Sequence, residues 1–319
     1  MARTFILHRG KKERARQPWL TDTLVGLEAS LLRALWWCCG RLGPDRGGDL
    51  GAAVVGAIGP HLSKSTHLAR NLAVALPDLD EARRAGLVRA AWGEIGRVIG
   101  EIPSLGVLSG AEAAARFEVI EHYDMDAVRR GERRAVFVSG HFANWELAAG
   151  CSHHVGFPLA VVYSPQANTG IDAALQAHRE GLGVEMIQRQ NAARGMLRAI
   201  QRGLNVGVLL DQRYDEGEPV PFFGHPTPSG LAPAMLALKL GIDYVPMRVE
   251  RLNKARFRFT FHDAVEPDPG KGDARAQALD MTARAYAHFE QWIRERPEQW
   301  LCLKRRWPRK VYEQLGLRP

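Results

Sequence analysis

The chain has 319 residues, 46% of them hydrophobic and 24% charged, an ordinary globular composition with room for one large domain or one domain with an appended subdomain. Lys and Arg outnumber Asp and Glu by 43 to 35, giving a net charge of +8 that favours an anionic partner: nucleic acid, anionic lipid or an acidic carrier protein. The four cysteines, Cys38, Cys39, Cys151 and Cys302, have neither metal-ligand spacing nor the density of a disulfide scaffold, which argues against zinc and for a reduced compartment.

The start, Met1 to Arg16, has only Phe5-Ile6-Leu7 as an apolar run before a basic cluster. It lacks the apolar core of a secretory signal, so the protein is expected on the cytoplasmic side. The best candidate for a membrane span, Leu24 to Gly40, is interrupted by Glu28 and Arg33, whereas a spanning helix needs about 20 predominantly apolar residues. Within it, Leu24, Leu27, Leu31, Leu35 and Trp36 recur at helical spacing beside Trp37. That pattern suits a helix lying in a bilayer interface and equally one facing a core. Further helices are predicted around 49–59, 64–75 and 80–102, separated by Gly43-Pro44, Gly59-Pro60 and Pro77-Asp78 and ended by Pro103. Residues 1–110 therefore read as an N-terminal helical region that associates with membrane.

From residue 111 to 319 short apolar runs alternate with helical patterns. Ala135–Ser139, Leu159–Tyr163, Val184–Ile187, Val206–Leu210 and Tyr244–Val249 read as strands, and 143–155, 170–181, 192–203, 230–240 and 274–295 as helices. Arg256–Phe261 alternates polar and aromatic residues, as an antiparallel, half-exposed strand does. The expected fold class is α/β: a mostly parallel central sheet flanked by helices, with the N-terminal helical subdomain packed on it. Asp211 to Ser229 reads as a long loop of the kind that forms lids, stiffened by Pro219, Pro221, Pro226 and Pro228. Its Phe222 and Phe223 suit either an acyl chain or a contact with the core.

In open α/β sheets chemistry sits beyond the carboxyl ends of the strands. The first central strand runs into Gly140-His141-Phe142-Ala143-Asn144-Trp145-Glu146, a glycine turn followed by a helix start. If His141 precedes the first turn, a first-turn glutamate can fold back to it. A carboxylate on one imidazole nitrogen fixes the tautomer and leaves the other nitrogen free to take a proton. The pair can also serve only to cap the helix and complement its dipole.

Ser139 to Glu146 resembles the H-x4-D/E block of the lysophospholipid acyltransferase superfamily, in the glutamate form of the lipid A biosynthesis acyltransferases of the lauroyl/myristoyl type. Further blocks stand in that family's order: Val162 to Pro165, Gln176 to Gly183, Leu210-Asp211-Gln212, Val220 to Gly224, Val245-Pro246, Pro297 to Leu301 and Arg305-Arg306-Trp307. Together they cover roughly residues 60 to 307. Arg213-Tyr214 after Asp211-Gln212 departs from the family, which often has a small or acidic residue there.

The resemblance implies His141 as general base oriented by Glu146, with Asn144, Arg179, Asp211, Gln212, Arg213, Phe222, Phe223 and Gly224 as substrate-binding residues. Arg179 and Arg213 are the candidates for gripping phosphate. It implies an acyl carrier protein thioester as donor, a hydroxyl of a lipid A precursor as acceptor, no cofactor or metal, and a place on the cytoplasmic face of the bacterial inner membrane against anionic lipid. Transfer would be direct, since no G-x-S-x-G elbow occurs and no cysteine stands beside a motif histidine. A lysophospholipid or aminolipid acceptor is the nearest alternative. Nucleic-acid binding is the more distant one, with dispersed basic residues and no recognised motif to support it.

Overall fold

The computed structural model describes residues 18–110 and 112–317; the basic start that the sequence singles out lies outside them. Helix α1, Pro18–Ile58, bends where Gly43 takes φ 75° and ψ 175° ahead of Pro44. A left-handed glycine and a proline without an N–H break the helical ladder there, so the predicted break at Gly43-Pro44 divides α1 into two helical halves. Helices α2, Lys64–Ala75, and α3, Glu81–Glu101, follow. Asp80 caps α3 by accepting from the Arg83 N–H at 2.7 Å.

The second half of α1 lies against α3 through glycines. A Cβ on Gly51 would stand 2.1 Å from the Gly96 carbonyl oxygen, and one on Gly100 would stand 2.2 Å from that of Gly47. The two backbones touch, which only residues without side chains permit. In the first half, Trp36 turns inward and donates through Nε1 to the Ile99 carbonyl at 2.9 Å. Leu27, Leu31 and Trp37 remain exposed. The predicted single stripe is thus divided between a buried face and an open one. No helix among the described residues is long and apolar enough to cross a membrane.

The central sheet has seven strands in the order β1-β9-β8-β2-β5-β3-β4: β1 Phe117–Glu121, β2 Ala135–Ser139, β3 Leu159–Tyr163, β4 Glu185–Gln188, β5 Asn205–Leu209, β8 Asp243–Asn253 and β9 Arg256–Phe261. All neighbours are parallel except β8 and β9, as the alternation in β9 predicts. Strand β1 is not among the predicted strands, because Glu118 and Glu121 interrupt its apolar pattern; pairing with β9 along its whole length makes it a strand. Helices α4, Glu146–Val155, α5, Thr169–Arg179, α6, Ala192–Gln201, α7, Ala232–Leu240, and α8, Ala274–Glu295, flank the sheet. One apolar cluster joins Leu68, Trp92 and Ile95 of α2 and α3 to Tyr286 and Trp292 of α8, so the N-terminal helices share a core with the sheet.

The predicted lid loop instead contains a hairpin, β6 Glu218–Phe222 and β7 His225–Ser229. Phe223 at φ 51° and Gly224 at φ 72° form its two-residue turn, where both positions need positive φ. Pro219 pairs with Pro228 and Pro221 with Pro226. Counting from the turn, these are the pairs whose N–H groups point out of the ladder, so proline loses nothing there.

The glycine contact is the least forgiving packing in the helical layer. Gly96→Leu should destabilise the protein by about 1–3 kcal/mol or more, the usual cost of overpacking, read as a lower denaturant midpoint. An unchanged midpoint would show that α1 and α3 can part freely.

Candidate active site

Strands β2 and β5 are parallel neighbours with Ser139 opposite Leu209. His141 lies two residues beyond the end of one, and Asp211 two residues beyond the end of the other. The Leu210 N–H donates to the Ser139 carbonyl at 2.8 Å, extending the ladder one step further. The equal offsets bring the side chains together, and His141 Nδ1 donates to Asp211 Oδ1 at 2.6 Å. Asp211 is fully buried. Burial alone would raise its pKa, but the His141 ring, the hydrogen bonds from that residue and the charge of Arg306 outweigh burial and hold the carboxyl below its usual value.

The C-terminal segment fixes both partners. Trp300 Nε1 donates to Asp211 Oδ2 at 3.0 Å, occupying the second carboxylate oxygen. The Leu301 N–H donates to the His141 carbonyl at 2.8 Å, and the Gln299 carbonyl accepts from Ala143 at 2.9 Å. This backbone grip holds Ala143 at φ 45°, a costly conformation for a residue with a side chain. Gly140 allows the approach, since a Cβ there would lie 3.0 Å from the Asp211 side chain and 2.7 Å from Phe142.

His141 is 19% exposed and lines a cavity of about 950 Å³. Its Nε2 accepts from the Gln212 amide at 3.0 Å, the arrangement expected when Nδ1 carries the proton toward Asp211. Much of the cavity lining is apolar, with Leu32 and Trp36 from α1, Ile95 and Ile99 from α3, Phe157 just before β3, Leu159 of β3 and Leu175 of α5. Charged side chains line the cavity too, among them Lys64, Arg189, Lys304, Glu216 and Glu218. A histidine oriented by a buried carboxylate over an apolar chamber is equipped to take a proton from a substrate with a long hydrocarbon part.

The profile of the family described as bacterial lipid A biosynthesis acyltransferase matches residues 17–309. The chain belongs to that family. A comparison with curated proteins gives no match.

In this acyltransferase the expected partner of His141 is not the one in contact. Glu146 begins α4, and the helix carries its carboxylate toward α5, where Arg179 Nε and Nη2 donate to it at 2.8 and 2.6 Å. Both members of this pair are buried and line the cavity. The expected contact of His141 with Glu146 is therefore corrected: Asp211, expected to bind substrate, is the carboxylate bonded to the His141 ring. Arg179, expected to grip phosphate, is bonded to Glu146.

The other predicted binding residues divide. Gln212 lines the cavity beside His141. Asn144 is fully buried and donates to Glu101 at 2.7 Å, a carboxylate that also accepts from Arg251 at 2.5 and 3.1 Å. Arg213 pairs with Asp215. Phe222 is fully buried and stacks on Trp307 with centroids 5.5 Å apart. Phe223 and Gly224 form the hairpin turn, and the Phe223 N–H donates to Glu290 at 2.6 Å. Asn144, Arg213, Phe222, Phe223 and Gly224 do not line the cavity, because each is engaged by neighbours that fix the fold.

Trp300 and Gly140 were not among the predicted site residues. Trp300 stands in a family-like block, but its contact with Asp211 spans nearly ninety residues and leaves no local signal. Gly140→Ala should push Asp211 from His141 while keeping the fold. A misplacement on the order of 1 Å can cost about 10²-fold, so turnover per folded molecule should fall by that order. Full turnover would mean that the close approach is unnecessary.

Proposed function

We propose that this acyltransferase moves a fatty acyl chain from an acyl carrier protein thioester to a hydroxyl of a lipid A precursor, at the cytoplasmic face of the bacterial inner membrane. The observation that carries the reading is the His141–Asp211 pair, whose imidazole lines a largely apolar chamber. The chamber suits the acyl chain, and Nε2 of His141 is the base. The acceptor hydroxyl displaces the Gln212 amide and gives its proton to Nε2 as its oxygen attacks the thioester carbonyl. Asp211 stabilises the resulting imidazolium. The tetrahedral intermediate collapses with breakage of the C–S bond, and the departing thiolate takes the proton back.

Direct transfer is favoured by the state of the nearby thiol. Cys302 lies behind Asp211, where burial and then the Asp211 charge push its pKa up to about 12. It stays protonated and is a poor nucleophile. Membrane attachment is supported by the open face of α1 with Leu27, Leu31 and Trp37 and by the net charge of +8.

His141→Ala and Asp211→Ala should each lower turnover per folded molecule by about 10²–10⁴-fold, and the double variant should cost little more than the worse single one, since the two act as a unit. Glu146→Ala should act first on stability, by about 3–5 kcal/mol, because it leaves the Arg179 charge buried without its partner. A His141/Glu146 double variant no worse than the worse single one, combined with an active Asp211→Ala variant, would return the orienting role to Glu146.

With the acceptor in anionic vesicles, transfer should be faster from acyl carrier protein than from acyl coenzyme A and should weaken with salt. Glutamate at Leu27, Leu31 and Trp37 together should release the protein from vesicles. Equal use of both donors would remove the carrier protein from the reading, and unchanged sedimentation would remove the membrane face.

A further inference from the structure

Three cations line the same cavity as His141 and Gln212: Lys64, Arg189 and Lys304. They come from distant places in the chain. Lys64 opens α2, Arg189 follows β4, and Lys304 belongs to the C-terminal segment that also carries Trp300. The buried Asn71 of α2 ties that segment down, donating to the Lys304 carbonyl at 2.8 Å and accepting from the Arg306 N–H at 3.2 Å. Lys64 and Lys304 are thereby presented by one rigid unit.

Their charges act on one another. Burial and then Lys304 push the Lys64 ammonium down to about 8, against a smaller opposite effect of Glu28. Lys304 is lowered by burial and then by Arg189. Arg189 stacks over Tyr214, 5.3 Å from the ring centroid, and neither it nor Lys304 forms an ion pair among the described residues. Arg189 and Lys304 act on each other as like charges, which is unfavourable unless an anion joins them. Arg179 and Arg213, the cations the sequence offers for phosphate, are paired with Glu146 and Asp215.

We propose that Lys64, Arg189 and Lys304 form a binding site for a substrate phosphate, anchoring it there while the reacting group reaches His141. Ammonium and guanidinium groups from three directions suit the oxygens of a phosphate ester. That chemistry belongs both to a phosphorylated sugar headgroup on the acceptor and to the phosphopantetheine arm of the donor. Which substrate brings the phosphate rests on the acyl-transfer reading, whereas the site itself does not.

Binding of inorganic pyrophosphate to the full-length protein, measured by calorimetry at low salt, tests the site without any turnover. Lys64→Gln, Arg189→Gln and Lys304→Gln should each weaken it about tenfold or more, the scale of one charge-assisted contact, and Lys239→Gln, an exposed cation on α7, should not. Absence of pyrophosphate binding, or equal loss with the Lys239 variant, overturns the proposal even if acyl transfer is fully active.

Kinetics then assign the source. A raised KM for a phosphorylated acceptor but not for its dephosphorylated form identifies the headgroup. A raised KM for the carrier-protein thioester but not for an S-acyl-N-acetylcysteamine identifies the phosphopantetheine arm. Equal changes for phosphate-bearing and phosphate-free substrates would overturn the proposal.

Discussion

The hydrogen bond between His141 and Asp211 exists because two parallel strands stand side by side in one register. Neither residue lies on a strand, and seventy positions separate them in sequence. What joins them is the ladder between β2 and β5 and the two-residue step each chain takes beyond it. A shift of one residue in that pairing would turn the side chains to opposite faces. The fully buried strand β2 makes such a shift expensive, since Val136, Phe137 and Val138 would all change their neighbours.

The same constraint explains the importance of the C-terminal segment. Residues 299–301 bond the His141 turn through the backbone and Asp211 through the Trp300 ring. A catalytic imidazole gains from a partner that does not move when charge develops on it, and here that partner is itself held at both carboxylate oxygens. The segment continues to Lys304 and Arg306, where Asn71 fastens it to α2. One stretch of chain thus holds the His141 turn, fastens to the N-terminal helix α2 and brings Lys304 to the cavity lining.

Buried ion pairs complete the frame. Glu146 with Arg179, and Glu101 with Arg251 and Glu94, place charge where water is scarce. Such pairs add little net stability compared with apolar packing, but loss of one member is costly. Their effect is positional. Arg179 fixes the first turn of α4 to α5, and Glu101 receives Asn144 from the His141 turn as well as Arg251 from β8. The helical region and the sheet are therefore connected through the residues that surround the site.

The sequence by itself determined the local elements and the place of His141 just beyond a central strand. Apolar runs marked β2, β3, β5 and β8, capping and proline marked the helix limits, and a glycine turn after a strand marked His141. These features depend on residues a few positions apart, so periodicity and turn chemistry reveal them. Only the tertiary structure decided the partners. Glu146, five residues from His141, is turned by α4 toward Arg179, while Asp211 arrives from the neighbouring strand. The phenylalanines of the predicted lid fold into a hairpin against Trp307, and three cations from separate elements line one cavity. These outcomes depend on which strands and helices become neighbours, which hydrophobic packing of the whole chain selects and no short stretch of sequence records.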